Sequence, residues 1–321
     1  MNQITQGAAL TAAILIAAPA AGQMQLNLGH GGALDAHYSV GAQAFAEHVE
    51  AELPGEFEIV ENPASSLGNE REMIEGIQLG TVDLVITSTG PLGNFVRETL
   101  AFDVPFLFRD YDHARAVLDG EVGQEILDAL PDHGMIGLTW MENGFRHVTN
   151  DVRPIRNLAD MEGLEIRTME NPVHIEAFEL LGANPTPMAW PELFTALQQK
   201  VVEGQETPIT VIRMMNFNDV QSNISLTGHV YGPAILLMSP AVWDGLTDAQ
   251  RQVFREAAQK AVEANRGFVD AKEAEDLAYL GENGMDVVSE FDRTGLDEAL
   301  APLYASMREE FGDLIDRIQA Q

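Results

Sequence analysis

Apolar and polar positions alternate strictly through Met24-Gln25-Leu26-Asn27-Leu28, the two-residue period of a half-buried strand. The period then lengthens, and Tyr38 to Glu52 reads as a helix, followed by a second strand at Phe57 to Val60. Asn69 with Glu72 three residues later forms a capping-box signature, and Met73, Ile74 and Ile77 give the helix stripe behind it. Asp83 to Thr87 reads as a strand closed by the breaker Gly90-Pro91, and the alternation of helix and strand continues through Met135–Met141. A second set starts near Asn143, with strands expected at Phe145–Thr149 and Leu164–Thr168. Trp190-Pro191-Glu192-Leu193 opens a helix whose Leu193, Phe194, Leu197 and Val201 share a face. The continuous apolar run Ala234–Met238 reads as a buried strand. Thr247 with Gln250 caps a long helix with the stripe Val253, Phe254, Ala257, Ala258, Ala261 and Val262. Strands alternating with helices predict an α/β protein with parallel sheet. Two such sets with no linker peptide predict two lobes between which the chain crosses more than once.

The two ends of the chain differ. Residues 1–22 hold no Asp, Glu, Lys or Arg, and an apolar run from Ala8 to Ala18 precedes Ala18-Pro19-Ala20-Ala21-Gly22. This reads as a secretory signal peptide cut between Ala20 and Gly22, although its first residues lack Lys or Arg. No later stretch approaches the ~20 apolar residues of a membrane span. The rest through Gln321 is mostly helical and acidic.

Composition narrows the function. With 321 residues and 45% hydrophobic content, the chain can bury a core without staples, and it has no cysteine for a disulfide, thiol nucleophile or thiolate-bound metal. Fifty Asp and Glu against 18 Lys and Arg give a charge of −32, which argues against nucleic acid and anionic lipid as partners. No serine sits in Gly-x-Ser-x-Gly. Gly29-His30-Gly31-Gly32 resembles an oxyanion-hole loop without its nucleophile, and Leu34 takes the third glycine's place in a dinucleotide fingerprint. No P-loop and no His-Glu-x-x-His is present, and His30, Asp35 and His37 are better read as loop hydrogen-bonders than as metal ligands. No cofactor, metal or enzymatic activity is expected.

Positive charge is scarce, and of the 18 basic residues fifteen are arginine. Arg167 ends the apolar strand Leu164-Glu165-Ile166, just before Asn171-Pro172, and Arg146 lies in Phe145–Thr149. The carboxyl end of a parallel strand faces the crevice where α/β proteins bind ligands. An arginine there holds a carboxylate through two charge-assisted bonds, or is tied up in a salt bridge with one of many acids.

Three runs carry a resemblance: Gly163-Leu164-Glu165-Ile166-Arg167, Asn184-Pro185-Thr186-Pro187-Met188-Ala189-Trp190-Pro191-Glu192-Leu193-Phe194-Thr195-Ala196-Leu197-Gln198-Gln199, and Val202-Glu203-Gly204-Gln205-Glu206-Thr207-Pro208. Leu67-Gly68-Asn69-Glu70-Arg71-Glu72, Gln78–Asp83 and Asn143-Gly144-Phe145-Arg146-His147 add to it. Together they resemble the substrate-binding proteins of TRAP transporters, the DctP type, over about residues 24–310. The resemblance implies a periplasmic binding protein fold with interleaved lobes, a sheet in each and long helices spanning both. Lobe I would comprise 24–143 plus 233–272, and lobe II 144–232 plus 273–321. It implies a monomer that captures an organic acid, a C4-dicarboxylate or a sugar acid, and delivers it to the membrane subunits. A sensor-associated binding protein and an exported enzyme are the alternatives.

In that family the residue matching Arg167 pairs with the ligand carboxylate, that matching Arg146 adds a contact, and that matching Trp190 packs on the ligand. Glu170 would tune selectivity, with further contacts from Asp35, His37, Tyr38, Asn69, Glu70, Ser88 and Thr89. The family usually reads Gln-Glu-Asn-Pro where this chain has Gln205-Glu206-Thr207-Pro208, so Thr207 offers a shorter reach than the usual amide.

Overall fold

The computed structural model describes residues 22–321, so the expected leader lies outside the described residues except for Gly22. The chain opens with β1 (Met24–His30), α1 (His37–Glu52), β2 (Phe57–Asn62), α2 (Glu70–Leu79), β3 (Leu84–Ser88) and α3 (Thr89–Leu92). A 3₁₀ segment, Arg97–Asp103, leads to α4 (Tyr111–Asp119), α5 (Glu121–Ala129) and the long strand β4 (Ile136–Asn150). Then come β5 (Glu165–Thr168), α6 (Pro172–Leu180), β6 (Asn184–Pro187), α7 (Leu193–Gln198), β7 (Gly204–Pro208) and α8 (Ile209–Met214). The chain finishes with β8 (Asn223–Met238), α9 (Pro240–Trp243), α10 (Asp248–Glu282), β9 (Asp286–Val288) and α11 (Leu296–Gln319).

Local chemistry accounts for most boundaries. Both capping boxes read from the sequence form, Asn69 with Glu72 and Thr247 with Gln250. β3 ends at Ser88, before Gly90-Pro91 as expected, and Gly90 and Pro91 themselves lie within a four-residue helix. Proline is tolerated there because the first turn leaves its N–H positions without intrahelical acceptors. Helix α7 stops before Val201, which is 62% exposed and so outside the apolar face expected for it. Lys200, in a left-handed conformation (φ 57°), turns the chain away first.

The architecture is mixed α/β with one sheet in the order β2-β1-β3-β8-β4-β7-β5-β6, and β9 on β8. Separate sheets in two lobes were expected. Instead β4 and β8 pair antiparallel from Ile136↔Met238 to Asn150↔Asn223 and thread both halves. The strands expected at Met135–Met141 and Phe145–Thr149 are thus one strand of 15 residues. Gly144 (φ 121°), which punctuates the sequence like a break, sits opposite Gly232 beside a register shift between Glu142 and Gly144. Such bulges bend and twist a strand without ending it.

Alternating residues feed two faces. Val85, Trp140, Ile235 and Leu237 enter one cluster that runs unbroken from Ile74 to Phe178 and Leu300 across both halves. On the opposite face the core is divided. One part joins Leu28, Phe45, Ile86 and Phe254, the other Leu193, Ile212, Phe217 and Leu280. Helix α10 contributes Phe254 to the first part and Leu280 to the second, bridging the gap.

Phe254 is fully buried and packs edge-on against Phe45 and Phe57, joining α10 to α1 and β2. Phe254→Ala should lower unfolding free energy by about 3–5 kcal/mol. The exposed change Val201→Ala should stay within about 0.5 kcal/mol. Urea denaturation followed by circular dichroism compares the two.

Candidate functional site

Where the divided core separates, the carboxyl ends of β1, β3 and β5 face a cavity. Its walls are Gly31 and Gly32 after β1, His37 and Tyr38 of α1, Glu70 of α2, Ser88, Asn143 and Arg146 of β4, Arg167, Met169, Trp190, Thr207, and Val211 and Met214 of α8. This crevice outside strand ends is where open α/β sheets bind ligands.

Eight of the ligand-contact residues expected from sequence meet there: Arg167, Arg146, Trp190, Thr207, His37, Tyr38, Ser88 and Glu70. Asn69 and Glu170 do not line it; they line a smaller adjoining recess with Arg167 and Trp190 between. The Asn69 side chain is used as the cap of α2, accepting from the Glu72 N–H at 2.9 Å. Asp35 lies outside both, exposed on the loop before α1, with its backbone N–H donated to Ser39 Oγ at 3.2 Å. Thr89 is buried and donates to Asp103 at 3.4 Å.

The two arginines differ in kind. Arg146 is held through two of its three nitrogens: Nε and Nη2 grip both Glu206 carboxylate oxygens, and Nη2 also donates to the Glu206 carbonyl at 2.7 Å. Burial alone would raise the Glu206 carboxyl, but Arg146 and bonds from His174 and His229 hold it well below the usual range. His174 bridges this carboxylate, at 3.7 Å, to Asp103, at 3.2 Å. Burial works against its proton, yet the two acids carry its pKa up to about 9.

Arg167 has no such partner. Its Nε and Nη2 donate to the Met188 carbonyl at 2.9 and 2.6 Å, and among the described residues no carboxylate pairs with it. Nη1 is buried without an acceptor, and burial lowers the pKa to about 10. The Trp190 ring lies 5.9 Å from the guanidinium carbon, while its indole N–H donates to the Gly31 carbonyl at 3.2 Å. Met188 is placed by β6, whose Pro185 and Pro187 suit the sheet edge where that strand lies.

The remaining wall carries acceptors. Glu70 accepts through one oxygen from Thr87 Oγ, Ser88 N–H and Ser88 Oγ at 2.9, 2.9 and 3.2 Å, leaving the other unengaged among the described residues. His37 Nε2 contacts Asn143 Oδ1 at 3.1 Å, and burial lowers its pKa to about 4, so the ring is neutral and Nδ1 keeps its lone pair. That Nδ1 and the Tyr38 hydroxyl are buried without partners. Asn143, Met169, Val211 and Met214 were not anticipated. Glu206, fully buried within β7, was not anticipated as the partner of Arg146 either.

Comparison with known proteins agrees with this geometry. The family described as bacterial extracellular solute-binding protein, family 7, matches residues 28–310. The chain belongs to that family. A solute-binding protein of a TRAP transporter from Polaromonas sp. JS666, solved bound to D-erythronate, is 52% identical, with a TM-score of 0.91 over 93% of this chain and 99% of its own. A second, from Bordetella bronchispeptica with bound density assigned to pantoate, is 48% identical, with a TM-score of 0.90 over 92% of this chain and 99% of its own. The 2,3-diketo-L-gulonate-binding periplasmic protein of Escherichia coli is 35% identical over 81% of this chain and 80% of its own. The two-lobed fold of these neighbours and the sequence resemblance thus agree. No helix among the described residues is long and apolar enough to cross a membrane.

The buried histidines give this family member a particular pH profile. His174 keeps its proton to about pH 9 when folded but only to about 6.5 unfolded, so its contribution is full below 6.5 and lost as pH rises through 9. His37 and His147, buried and lowered to about 4 and about 3, act oppositely: their contribution is full above 6.5 and lost as pH falls through those values. Unfolding free energy from urea melts should therefore peak near pH 6.5. His174→Gln should flatten the alkaline limb and leave the acid limb.

Proposed function

We propose that this protein is an exported, monomeric binding protein that closes on a hydroxylated monocarboxylic acid and hands it to the membrane subunits of a TRAP-type transporter, without catalysis. The observation that carries the ligand class is the inequality of the two arginines. Arg146 is neutralised by Glu206, and Arg167 is left with an unpartnered Nη1 at the cavity. One ligand carboxylate satisfies Arg167. A second would meet the Glu70 carboxylate and the neutral His37 ring, which accept from hydroxyls and repel or ignore an anion. A short sugar acid is therefore favoured over a C4-dicarboxylate, in keeping with the D-erythronate and pantoate of the two neighbours. Arg167, Trp190, His37, Tyr38, Glu70, Ser88 and Thr207 hold the ligand in this reading. Asn69 and Glu170 border the recess beside Arg167, and Arg146 acts on the ligand mainly as the partner of Glu206.

In this reading the lobes are 24–143 plus 233–272 and 144–232 plus 273–321, hinging near the Gly144–Gly232 pair, with α10 crossing at about 272/273. Ligand shifts the open–closed equilibrium only by its preference for the closed form. The uncharged leader at 1–22 directs export.

A thermal-shift series with D-erythronate, pantoate, galactonate and succinate tests the ligand class. A ligand at 100 times its Kd adds about 2.7 kcal/mol of stability, so the hydroxy acids should raise the melting temperature and succinate should not. A shift by succinate alone contradicts the reading. Removing one member of a buried ion pair costs about 3–5 kcal/mol, so Arg167→Ala should weaken binding by roughly a hundredfold or more. Calorimetry showing affinity retained within a factor of a few contradicts the role of Arg167.

A further inference from the structure

The two walls of the cleft are unequal in bulk. Long side chains from the β5 side land on backbone and the smallest side chains of the β1–β3 side. A Cβ built on Gly90 would lie 2.5 Å from Met169 Sδ and Cε and 3.3 Å from its Cβ. A Cβ on Gly31 would lie 3.3 Å from Trp190 Cδ1, while the Gly31 carbonyl accepts the Trp190 indole N–H at 3.2 Å. Ser88 Oγ meets Met169 Sδ at 3.6 Å, and the Ala33 N–H meets Met214 Sδ at 3.4 Å. Neither Gly31 nor Gly90 has a positive φ, so backbone torsion does not reserve these positions for glycine. What a side chain would displace is the opposite wall.

We propose that Gly31 and Gly90 are positioning residues for closure: the absence of their side chains lets Trp190 and Met169 seat across the cleft, and with them Arg167 over the ligand. The proposal rests on the reading that the two walls close on an organic acid. Neither glycine needs to touch that acid for it to hold. The thioethers suit the seam because an unbranched methionine adapts to small changes in separation. Adaptability also grades the two sites. Met169 is buried and in contact with Ser88, so it cannot simply swing away from a Cβ on Gly90. A Cβ on Gly31 would meet the edge of the Trp190 ring and, at ordinary contact distance, Ser65 Oγ, so this position should tolerate alanine better. Gly90 has a competing local reason to be glycine, since it precedes Pro91 within a helix, and proline disfavours helical torsions in the residue before it. That reason is indifferent to Met169.

The test is therefore a double-mutant cycle on the full mature chain, read by calorimetry with D-erythronate. Gly90→Ala should weaken binding at least tenfold in the parent, and less than threefold when Met169→Ala is already present. Gly31→Ala should weaken binding severalfold. Because the chain has no cysteine, Glu47→Cys and Glu179→Cys, both at exposed positions on α1 and α6, carry spin labels that report the separation of the two sides directly. In the ligand-free protein Gly90→Ala should deplete the shortest separations, and Met169→Ala should restore them. If D-erythronate fails to bind the parent, the ligand reading fails and the labels alone decide the seam. Equal effects of Gly90→Ala with and without Met169, or a distance distribution that it leaves unchanged, overturn the proposal.

Discussion

Burying a guanidinium costs several kcal/mol unless a carboxylate meets it, and Arg167 is held at 2% exposure without one. Its two bonds to the Met188 carbonyl fix the fork, and the Trp190 face provides a weakly attractive flank, but neither neutralises the charge. The cost is tolerable because the arginine stands between acids that do not touch it: Glu206, Glu70 and Glu170 favour its charge at a distance while burial and Arg146 oppose it. Such a site is incomplete in a way that one ligand carboxylate repairs. Arg146 shows the alternative outcome, an ion pair with Glu206 backed by His174 and Asp103. In the proposed reading, the same residue type serves structure at one position and recognition at the other.

The sheet determines how that incomplete site is opened and shut. One face carries a core that is continuous from end to end, so the two halves cannot separate there. The other face is split, and the cavity lies in the split. Glycines and register shifts interrupt β4 and β8, while α10 ties both parts of the divided core together. Ligand binding in this design is a matter of differential contact. Groups from both walls converge only when the cleft is narrow, and the acid is what makes narrowing favourable.

Local periodicity made most elements legible, since capping boxes, alternation and apolar stripes are short-range signals: β1, α1, α2, β3 and α10 needed no tertiary information. The failures were tertiary. Gly144 looks like a strand end because a glycine with polar neighbours breaks a pattern, yet pairing with β8 keeps the strand going. Val201 continues a helical period past the point where Lys200 turns the chain. At the site, the arginines stood out because positive charge is rare here, but sequence spacing could not tell which was already paired. That depended on the β4–β7 register, which sets Val148 opposite Glu206 and lets Arg146 reach its carboxylate. Asp35 illustrates the reverse error, a polar loop residue beside His37 that points away from the cavity its neighbour lines.

The overall charge of −32 should repel an organic anion at long range, but screening within about 8 Å at physiological ionic strength leaves the local field of Arg167 to decide inside the cleft. Other arginines, among them Arg97, Arg115 through Asp270, Arg266, Arg308 and Arg317, are spent on acids nearer the surface. A crystal structure of the complex with D-erythronate tests this division most directly. The account predicts a ligand carboxylate oxygen within hydrogen-bond distance of Arg167 Nη1, with Arg146 still on Glu206 and the ligand hydroxyls toward Glu70 and His37. A carboxylate bound to Arg146 with Glu206 displaced, or a hydroxyl against Arg167, would contradict it.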